Sequence, residues 1–242
     1  MHIKQIWIKG ATMGTRKIKT WRDPYDMGYN ICRFKEIEIQ SGLTVLVGCN
    51  GYGKSTMLHN IQETVKKEHI PYLDFDTTKE SVNPNNINMI ALSFCSSEGE
   101  NITLKLGTLM SQLKNFIATG ETNLSKKLDI WSSLSNDKRE QVNIPNERWI
   151  LIDSVDSGYS IDNILDLKYI FSAIQDHAKK KNIELYIVVS ANAYELANNE
   201  QCLDIYNGKY MQFNNYDEYK NFILKTRQIK EKREKKSNNV NK

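Results

Sequence analysis

The sequence predicts an α/β fold in which a mainly parallel central sheet is flanked by helices, with an antiparallel strand region near the N-terminus. Three short apolar runs with β-branched residues are typical of buried strands, and they cover residues 43–47, 149–152 and 185–189. A segment with apolar residues at helical spacing follows each of these runs. The chain has 242 residues, 40% of them hydrophobic, which suits one α/β domain with a proper core.

Alternation and turn residues predict the other strands. Near the N-terminus polar and apolar residues alternate, which indicates half-buried strands. In chain order, the further strand candidates cover residues 3–8, 31–39, 72–75 and 87–94. The dipeptide Asn207-Gly208 predicts a short hairpin, because both residue types tolerate the positive φ angles of a type I′ turn.

Apolar residues spaced three and four apart predict the helices. In chain order these cover residues 56–67, 102–117, 161–181, 194–198 and 217–236. We expect one domain over residues 1–224, followed by a charged helix end and tail over residues 225–242. Lys and Arg are interleaved there with Glu231 and Glu234, as on a solvated helix face, and contact with nucleic-acid phosphates is the alternative.

Composition and charge narrow the classes of function. The net charge is +4, from 33 basic and 29 acidic residues, which is too small to indicate nucleic-acid binding by itself. The four cysteines form no CxxC pair, which argues against a zinc site or a disulfide framework and for a reducing compartment. No apolar run approaches the roughly 20 residues that span a bilayer. We expect a cytoplasmic protein without membrane contact.

A phosphate-binding motif follows the first apolar run. Residues 48–56 read G-C-N-G-Y-G-K-S-T and match G-x-x-x-x-G-K-[ST] in full. Glycines let backbone N–H groups surround a phosphate, Lys54 can reach the β- and γ-phosphates, and the Ser55 hydroxyl can hold Mg²⁺. The sequence therefore predicts that ATP binds here with Mg²⁺. The expected nucleotide-binding residues are Gly48, Asn50, Gly51, Tyr52, Gly53, Lys54, Ser55 and Thr56. A glycine-rich turn that binds nothing is the alternative, and the predicted strand before and helix after the loop argue against it.

Such a loop needs a carboxylate for the metal, at the end of a neighbouring strand. Asp153 directly follows the apolar run 149–152, so we predict that Asp153 and Ser55 are the metal ligands. Any buried strand can end in Asp. The loop motif earlier in the chain is what singles this one out.

Three segments resemble the ATP-binding-cassette superfamily, which includes the chromosome-maintenance and DNA-repair ATPases. Residues 50–56 read N-G-Y-G-K-S-T and follow a glycine at position 48. Residues 150–160 read I-L-I-D-S-V-D-S-G-Y-S, similar to the family's L-L-L-D-E-P-x-S-G-L-S/D. Residues 188–197 read V-V-S-A-N-A-Y-E-L-A, similar to its switch strand, V-I-A-T-H-S-P-E-L-A. The chain looks most similar to small stand-alone ATPases of phages and prophages.

The resemblance implies a signature segment that contacts a partner's nucleotide. The family form is L-S-G-G-Q/E, and residues 96–100, S-S-E-G-E, are the best match. In that interpretation Ser97, Gly99 and Glu100 form the signature, and Ser97 and the backbone of Gly99 bind phosphate in trans, so ATP would hold a homodimer together. A plain helix N-cap, with Ser97 capping and Glu100 three residues on, fits the same residues.

Two departures from the family's pattern bear on hydrolysis. The position of the family's catalytic glutamate holds Ser154, and the position of its switch histidine holds Asn192. A serine is no general base at neutral pH without an activator. Asp156 is the candidate replacement, or else it caps the following turn. The resemblance thus gives Lys54, Asp153, Asp156 and Asn192 as the catalytic set of a slow ATPase.

Three functions remain open at this stage. The first is an ATP-dependent switch, in which ATP clamps two copies together and slow hydrolysis releases them. The second is a non-hydrolysing, ATP-bound adaptor for DNA or an effector protein. The third, a P-loop kinase, ranks last because a kinase lid carries several arginines, and the polar stretch 119–147 with its border offers only Arg139 and Arg148.

Overall fold

The computed structural model describes residues 14–20, 32–76, 110–120, 145–156 and 160–240. Within these ranges the strands are β1 (Thr15–Lys19), β2 (Glu36–Gln40), β3 (Gly42–Val47), β4 (Tyr72–Asp76), β5 (Glu147–Asp153), β6 (Glu184–Ser190), β7 (Gln201–Asp204) and β8 (Lys209–Met211). The helices are α1 (Lys54–Lys67), α2 (residues 110–119), α3 (Ile161–Lys180), α4 (Tyr194–Ala197) and α5 (Tyr216–Val240).

The strands form a six-stranded sheet and a separate two-stranded one. The larger sheet has the order β4-β5-β6-β3-β7-β8, and its neighbours are parallel except for the antiparallel pair β7 and β8. The smaller sheet is the antiparallel pair β1 and β2. The predicted fold class, a mainly parallel sheet with helices and an antiparallel region near the N-terminus, is confirmed.

The central strands bury both faces, and their alternate residues belong to two apolar layers. Val45, Ile150 and Ile187 face the layer that contains α2 and α3. Leu46 and Leu151 face the layer that contains α1 and the β1–β2 pair. Burial on both faces explains why these strands appear in the sequence as continuous apolar runs.

The predicted buried strands and helices are present, with strands that extend past their apolar runs. The strand predicted over 149–152 begins at Glu147, because Glu147 pairs in register with Glu184 of β6. The Ser160 hydroxyl caps α3 by accepting a hydrogen bond from the Asn163 N–H at 3.3 Å. The part of the helix predicted over 102–117 that the structure describes is helical. The strands predicted over 3–8 and 87–94 lie outside the described residues.

Two predictions near the chain's turns were wrong in detail. β1 had no predicted counterpart, because in that strand only Ile18 is fully buried and the apolar alternation is weak. The predicted hairpin is present as the antiparallel pair β7 and β8. Its type I′ turn at Asn207-Gly208 does not form, since of these two residues only Gly208 has a positive φ, of 62°. Asp204 instead accepts hydrogen bonds from the Tyr206 N–H at 3.0 Å and from Asn207 Nδ2 at 2.6 Å, which holds a longer loop.

Helix α5 packs against both layers. Tyr219 belongs to the layer of α3, and Ile229 packs against the layer of α1. The helix runs without a break across residue 224, where we divide the chain, and that division stays a prediction. None of the described helices is both long and apolar enough to cross a membrane.

Candidate functional site

The motif at residues 48–56, the phosphate loop, joins β3 to α1. Gly48, Gly51 and Gly53 have φ angles of 148°, 71° and 112°. A Cβ on Gly48 would lie 2.2 Å from Cδ1 of Tyr52, so a larger residue cannot enter there without moving a buried ring. Helix α1 begins after Gly53 with no side-chain cap and no acidic residue in its first turn. Its first N–H groups and its positive end are therefore available to an anion.

Lys54 is folded back onto the phosphate loop. Its ammonium donates to the Gly48 carbonyl at 2.7 Å and to Oδ1 of Asn192 at 2.9 Å. The residue is 8% exposed. Burial lowers the pKa of Lys54, and the nearby carboxylates of Asp153 and Asp156 oppose that shift. Lys54 thus links the loop to the residue at the predicted switch position.

Asp153 lies at the same edge of the sheet as the phosphate loop but not on a strand next to β3. Strand β6 pairs with β3 on one side and with β5 on the other, so our expectation of a neighbouring strand was wrong. Ser190, at the end of β6, fills the gap. Its hydroxyl donates a short hydrogen bond to Asp153 and accepts one from the Ser154 N–H at 2.7 Å.

Asp156 holds the chain that leaves β6. Its Oδ2 accepts from the Asn192 N–H at 2.6 Å and also from the Ala193 N–H. These contacts lie at residues 192 and 193, not in the turn that follows Asp156, so both the capping alternative and the role as a general base stay predictions. Residues 153–156 and 190–193 together form what we call the acidic wall of the site. Ser154 in this wall has a φ of 52°, a left-handed backbone that serine rarely adopts.

The predicted metal ligands have suitable oxygen donors. Ser55 is exposed at the start of α1, and Asp153 is half-buried at the end of β5. Among the residues that the structure describes, no group of three or more His, Cys, Asp or Glu side chains could hold a metal alone. The predicted signature residues Ser97, Gly99 and Glu100 lie outside the described ranges, so their role stays a prediction.

Sequence analysis missed the contribution of α5. Thr226, Lys230 and Arg233 contact the main chain of the phosphate loop, and the Tyr219 hydroxyl donates to the Asn192 carbonyl at 2.6 Å. The assignment of this segment to a solvated helix face was wrong for Arg233, which is 9% exposed. Lys230 and Arg233 are charged. A periodic pattern of apolar residues therefore does not reveal that this face of the helix contacts the loop.

No protein-family model and no curated protein matches the chain. Among solved structures it is similar to a DNA replication initiation factor, at 14% identity and a TM-score of 0.31, with 63% of this chain and 32% of that one covered. The chain therefore spans about a third of that protein's length.

Two structures from ABC transporters are also similar. One is cbiO1 from Clostridium perfringens, part of the ABC transporter complex cbiONQ, at 11% identity and a TM-score of 0.41, covering 81% of this chain and 86% of that one. The other is an ATP-binding cassette of an ABC transporter in its ADP conformation, at 15% identity and a TM-score of 0.45, covering 89% and 98%. At these values, function has to be argued from the site itself.

Proposed function

We propose that this chain binds ATP with Mg²⁺ at the phosphate loop. The observation that carries the proposal is the strand–loop–helix geometry, in which three glycines hold left-handed angles and Lys54 is buried inside the loop. A buried cation is costly unless it is compensated. In this structure carbonyl and amide oxygens compensate it, and phosphate oxygens would do so more strongly because they carry full charges.

The residues present fit a magnesium ion that arrives with the nucleotide. Mg²⁺ usually binds through one or two protein groups plus substrate phosphates and waters. The hydroxyl of Ser55 and the carboxylate of Asp153 would supply these protein groups. When bound, the ion would neutralise charge on the phosphates, while Ser190 keeps Asp153 oriented through its hydrogen bond.

Hydrolysis, on this proposal, is slow. Ser154 occupies the position where the family has its catalytic base. Its backbone is left-handed, unlike that of a residue that continues a strand. Oδ2 of Asp156 already accepts two N–H groups, so a proton taken from water at that oxygen would compete with these hydrogen bonds. Asn192 can donate to a phosphate oxygen but carries no charge. These contacts also favour the second candidate, an ATP-bound adaptor that does not hydrolyse.

The finer proposal is a switch in which ATP joins two copies of the chain. It rests on the resemblance of residues 96–100 to a signature segment, with Ser97 and Gly99 acting on the partner's nucleotide. Two chains would then pack around a twofold axis, and each site would be completed by the other copy. ATP drives this association only if it makes contacts that ADP does not.

The binding proposal is tested with Lys54→Ala and a fluorescent ATP analogue in the presence of Mg²⁺. We expect affinity to fall by about a hundredfold or more, because the variant removes a charge-assisted contact from an enclosed site. Lys66→Ala, which removes an equal charge from the exposed last turn of the same helix, is the matched control and should bind normally. Thermal unfolding is used to check that both variants fold. Unchanged binding in folded Lys54→Ala would contradict the proposal.

Association is measured separately by sedimentation with ATP, with ADP and without nucleotide. The switch predicts a larger mass with ATP alone, and loss of that increase in Ser97→Arg. If the mass is equal in all three states while ATP binding is intact, the chain binds nucleotide without ATP-dependent association. Ser97 then does not act on a partner's nucleotide.

A further inference from the structure

One face of α5 contacts both the phosphate loop and the acidic wall. Tyr219, Thr226, Lys230 and Arg233 are separated by seven, four and three residues, so they share one side of the helix. The first reaches the acidic wall through the Asn192 carbonyl. The other three reach the phosphate loop.

The contacts with the loop go to its main chain. The Thr226 hydroxyl accepts from the Cys49 N–H at 3.0 Å. The Lys230 ammonium donates to the Asn50 carbonyl at 3.2 Å, and the Arg233 guanidinium donates to the Tyr52 carbonyl at 3.5 Å. Three of the five residues between Gly48 and Lys54 are therefore tied to α5 by their backbone.

Arg233 is anchored among aromatic rings. The centre of its guanidinium lies 5.0 Å from the ring of Tyr52 and 5.1 Å from the ring of Tyr206. Tyr52 in turn donates to Oδ1 of Asp204 at 3.3 Å. A cation over two rings is a favourable arrangement when it is shielded from water. It fixes Tyr52, whose ring is the one that confines Gly48.

The hydrogen bonds from α5 to the backbone of the phosphate loop matter because the loop contains glycines. A loop with three glycines has more conformational freedom to lose than other loops. If the loop were ordered only when the anion arrives, that ordering would reduce the affinity. The contacts from α5 order it beforehand, and they bring the ammonium of Lys230 and the guanidinium of Arg233 to the main chain of the loop.

We propose that Thr226, Lys230 and Arg233 are positioning residues for the nucleotide, which hold the phosphate loop in its anion-receiving form and supply cationic charge behind it. The inference rests on the proposed ATP binding at the same loop. None of the three needs to touch the ligand. The alternative is that α5 only packs on the domain, in which case its cations contribute nothing specific to ATP.

Paired lysines on α5 separate these two accounts. Lys230 bonds to the loop, whereas Lys232, two residues on, is exposed on another side of the helix. Each of Lys230→Ala and Lys232→Ala removes one positive charge from the same helix. We expect the dissociation constant for the fluorescent Mg-ATP analogue to rise about fivefold or more in Lys230→Ala, as for loss of a charged hydrogen bond. Lys232→Ala should stay within about twofold, the size of general charge effects at a surface.

Further variants distinguish positioning from simple packing. Lys230→Arg keeps the cation and should restore binding to within about twofold of the wild type. Thr226→Val keeps the shape but removes the acceptor for Cys49, and we expect it to weaken binding by about fivefold. Arg233→Ala should weaken it most, and because Arg233 is buried, Lys230 and Thr226 decide the question if that variant does not fold. Unfolding midpoints without nucleotide are measured for every variant, so that only folded variants are compared.

The outcomes separate the inference from the function on which it rests. If Lys54→Ala abolishes ATP binding while Lys230→Ala and Thr226→Val bind like Lys232→Ala, ATP binding stands and the positioning role is wrong. Equal weakening in Lys230→Ala and Lys232→Ala also overturns it, since net charge would then be the cause. A wild type that binds no ATP overturns both.

Discussion

The phosphate loop and the acidic wall use their polar groups in opposite ways. In the loop, α1 begins without a side-chain cap and without an acid in its first turn, so N–H groups are left for an anion. In the wall, Asp153 accepts from Ser190, and Asp156 accepts from two backbone N–H groups. The loop is arranged to receive a ligand, whereas the wall is held by its own hydrogen bonds.

On the proposed function, this difference makes ATP binding and ATP hydrolysis separable. The loop matches its motif at every required position, and α5 supports it from outside. The wall has Ser154 and Asn192 where the resemblance implies a glutamate and a histidine. Substitutions in the loop should therefore affect ATP binding, and those in the wall should affect the metal and the rate.

The largest effect is expected for Gly48→Ala in the phosphate loop. The new Cβ would meet the Tyr52 ring at 2.2 Å on a backbone with φ of 148°. We expect loss of ATP binding and a decrease in the free energy of unfolding of about 2 kcal/mol or more. Urea unfolding and analogue binding measure the two effects.

Gly208→Ala is the matched control. Its φ is also positive, at 62°, but the nearest side-chain atom would lie 3.6 Å from the new Cβ. That variant should lose only about 1 kcal/mol, from backbone strain, and bind ATP normally. If the two variants behave alike, the confinement of Gly48 by Tyr52 has no consequence.

Asp153→Asn tests the metal side of the acidic wall and should have the next largest effect. The amide lacks the charge that Mg²⁺ prefers. We expect the gain in ATP affinity on adding Mg²⁺ to fall by about tenfold, with metal-free ATP binding nearly unchanged. Ser190→Ala removes the hydrogen bond to Asp153 and should lose part of the same gain. A full magnesium effect in Asp153→Asn would exclude this residue as a ligand.

The parts of this molecule that sequence could predict are those with a local pattern. Buried parallel strands appear as apolar runs, and the loop motif is contiguous, so the sequence predicted β3, β5, β6 and the connection from β3 to α1 through residues 48–56. β6 lies between β3 and β5 because of pairing across more than a hundred residues, and no local pattern encodes that order. The contacts of Thr226, Lys230 and Arg233 are equally distant in sequence. Charged residues on a helix face ordinarily indicate exposure to solvent, so the sequence did not predict these contacts.

A smaller effect is expected when the acidic wall is given the residue it lacks. Ser154→Glu places a carboxylate next to Asp153, and we expect ATP turnover to rise by about tenfold, less than the roughly hundredfold or more that a well-positioned general base contributes. Ser154→Gln, which has the same size without the charge, is the control and should leave the rate unchanged. Equal rates in both, with ATP binding intact, would mean that the left-handed backbone at residue 154 directs the side chain away from the site.

The smallest effect concerns Lys54, which joins the two regions through Gly48 and Asn192. Burial lowers its pKa below the ordinary 10.5. At pH values between the pKa of Lys54 in the folded chain and the ordinary 10.5, the unfolded chain binds a proton that the folded chain does not. Stability without nucleotide should therefore rise with pH in that interval. ATP affinity should fall over the same interval, because the phosphates need the charged ammonium.

These opposite signs identify the lysine among other groups that titrate at alkaline pH. Lys54→Met removes the titration, so the difference between wild type and variant in urea unfolding isolates its contribution to stability. Analogue binding by the wild type, measured over the same pH series, should weaken as the pH rises through that interval, because the fraction of charged Lys54 falls. If stability without nucleotide changes with pH in parallel for wild type and Lys54→Met, Lys54 does not titrate in this range. Its ammonium then stays charged between the loop and the wall, and the hydrogen bonds to Gly48 and Asn192 offset the cost of its burial.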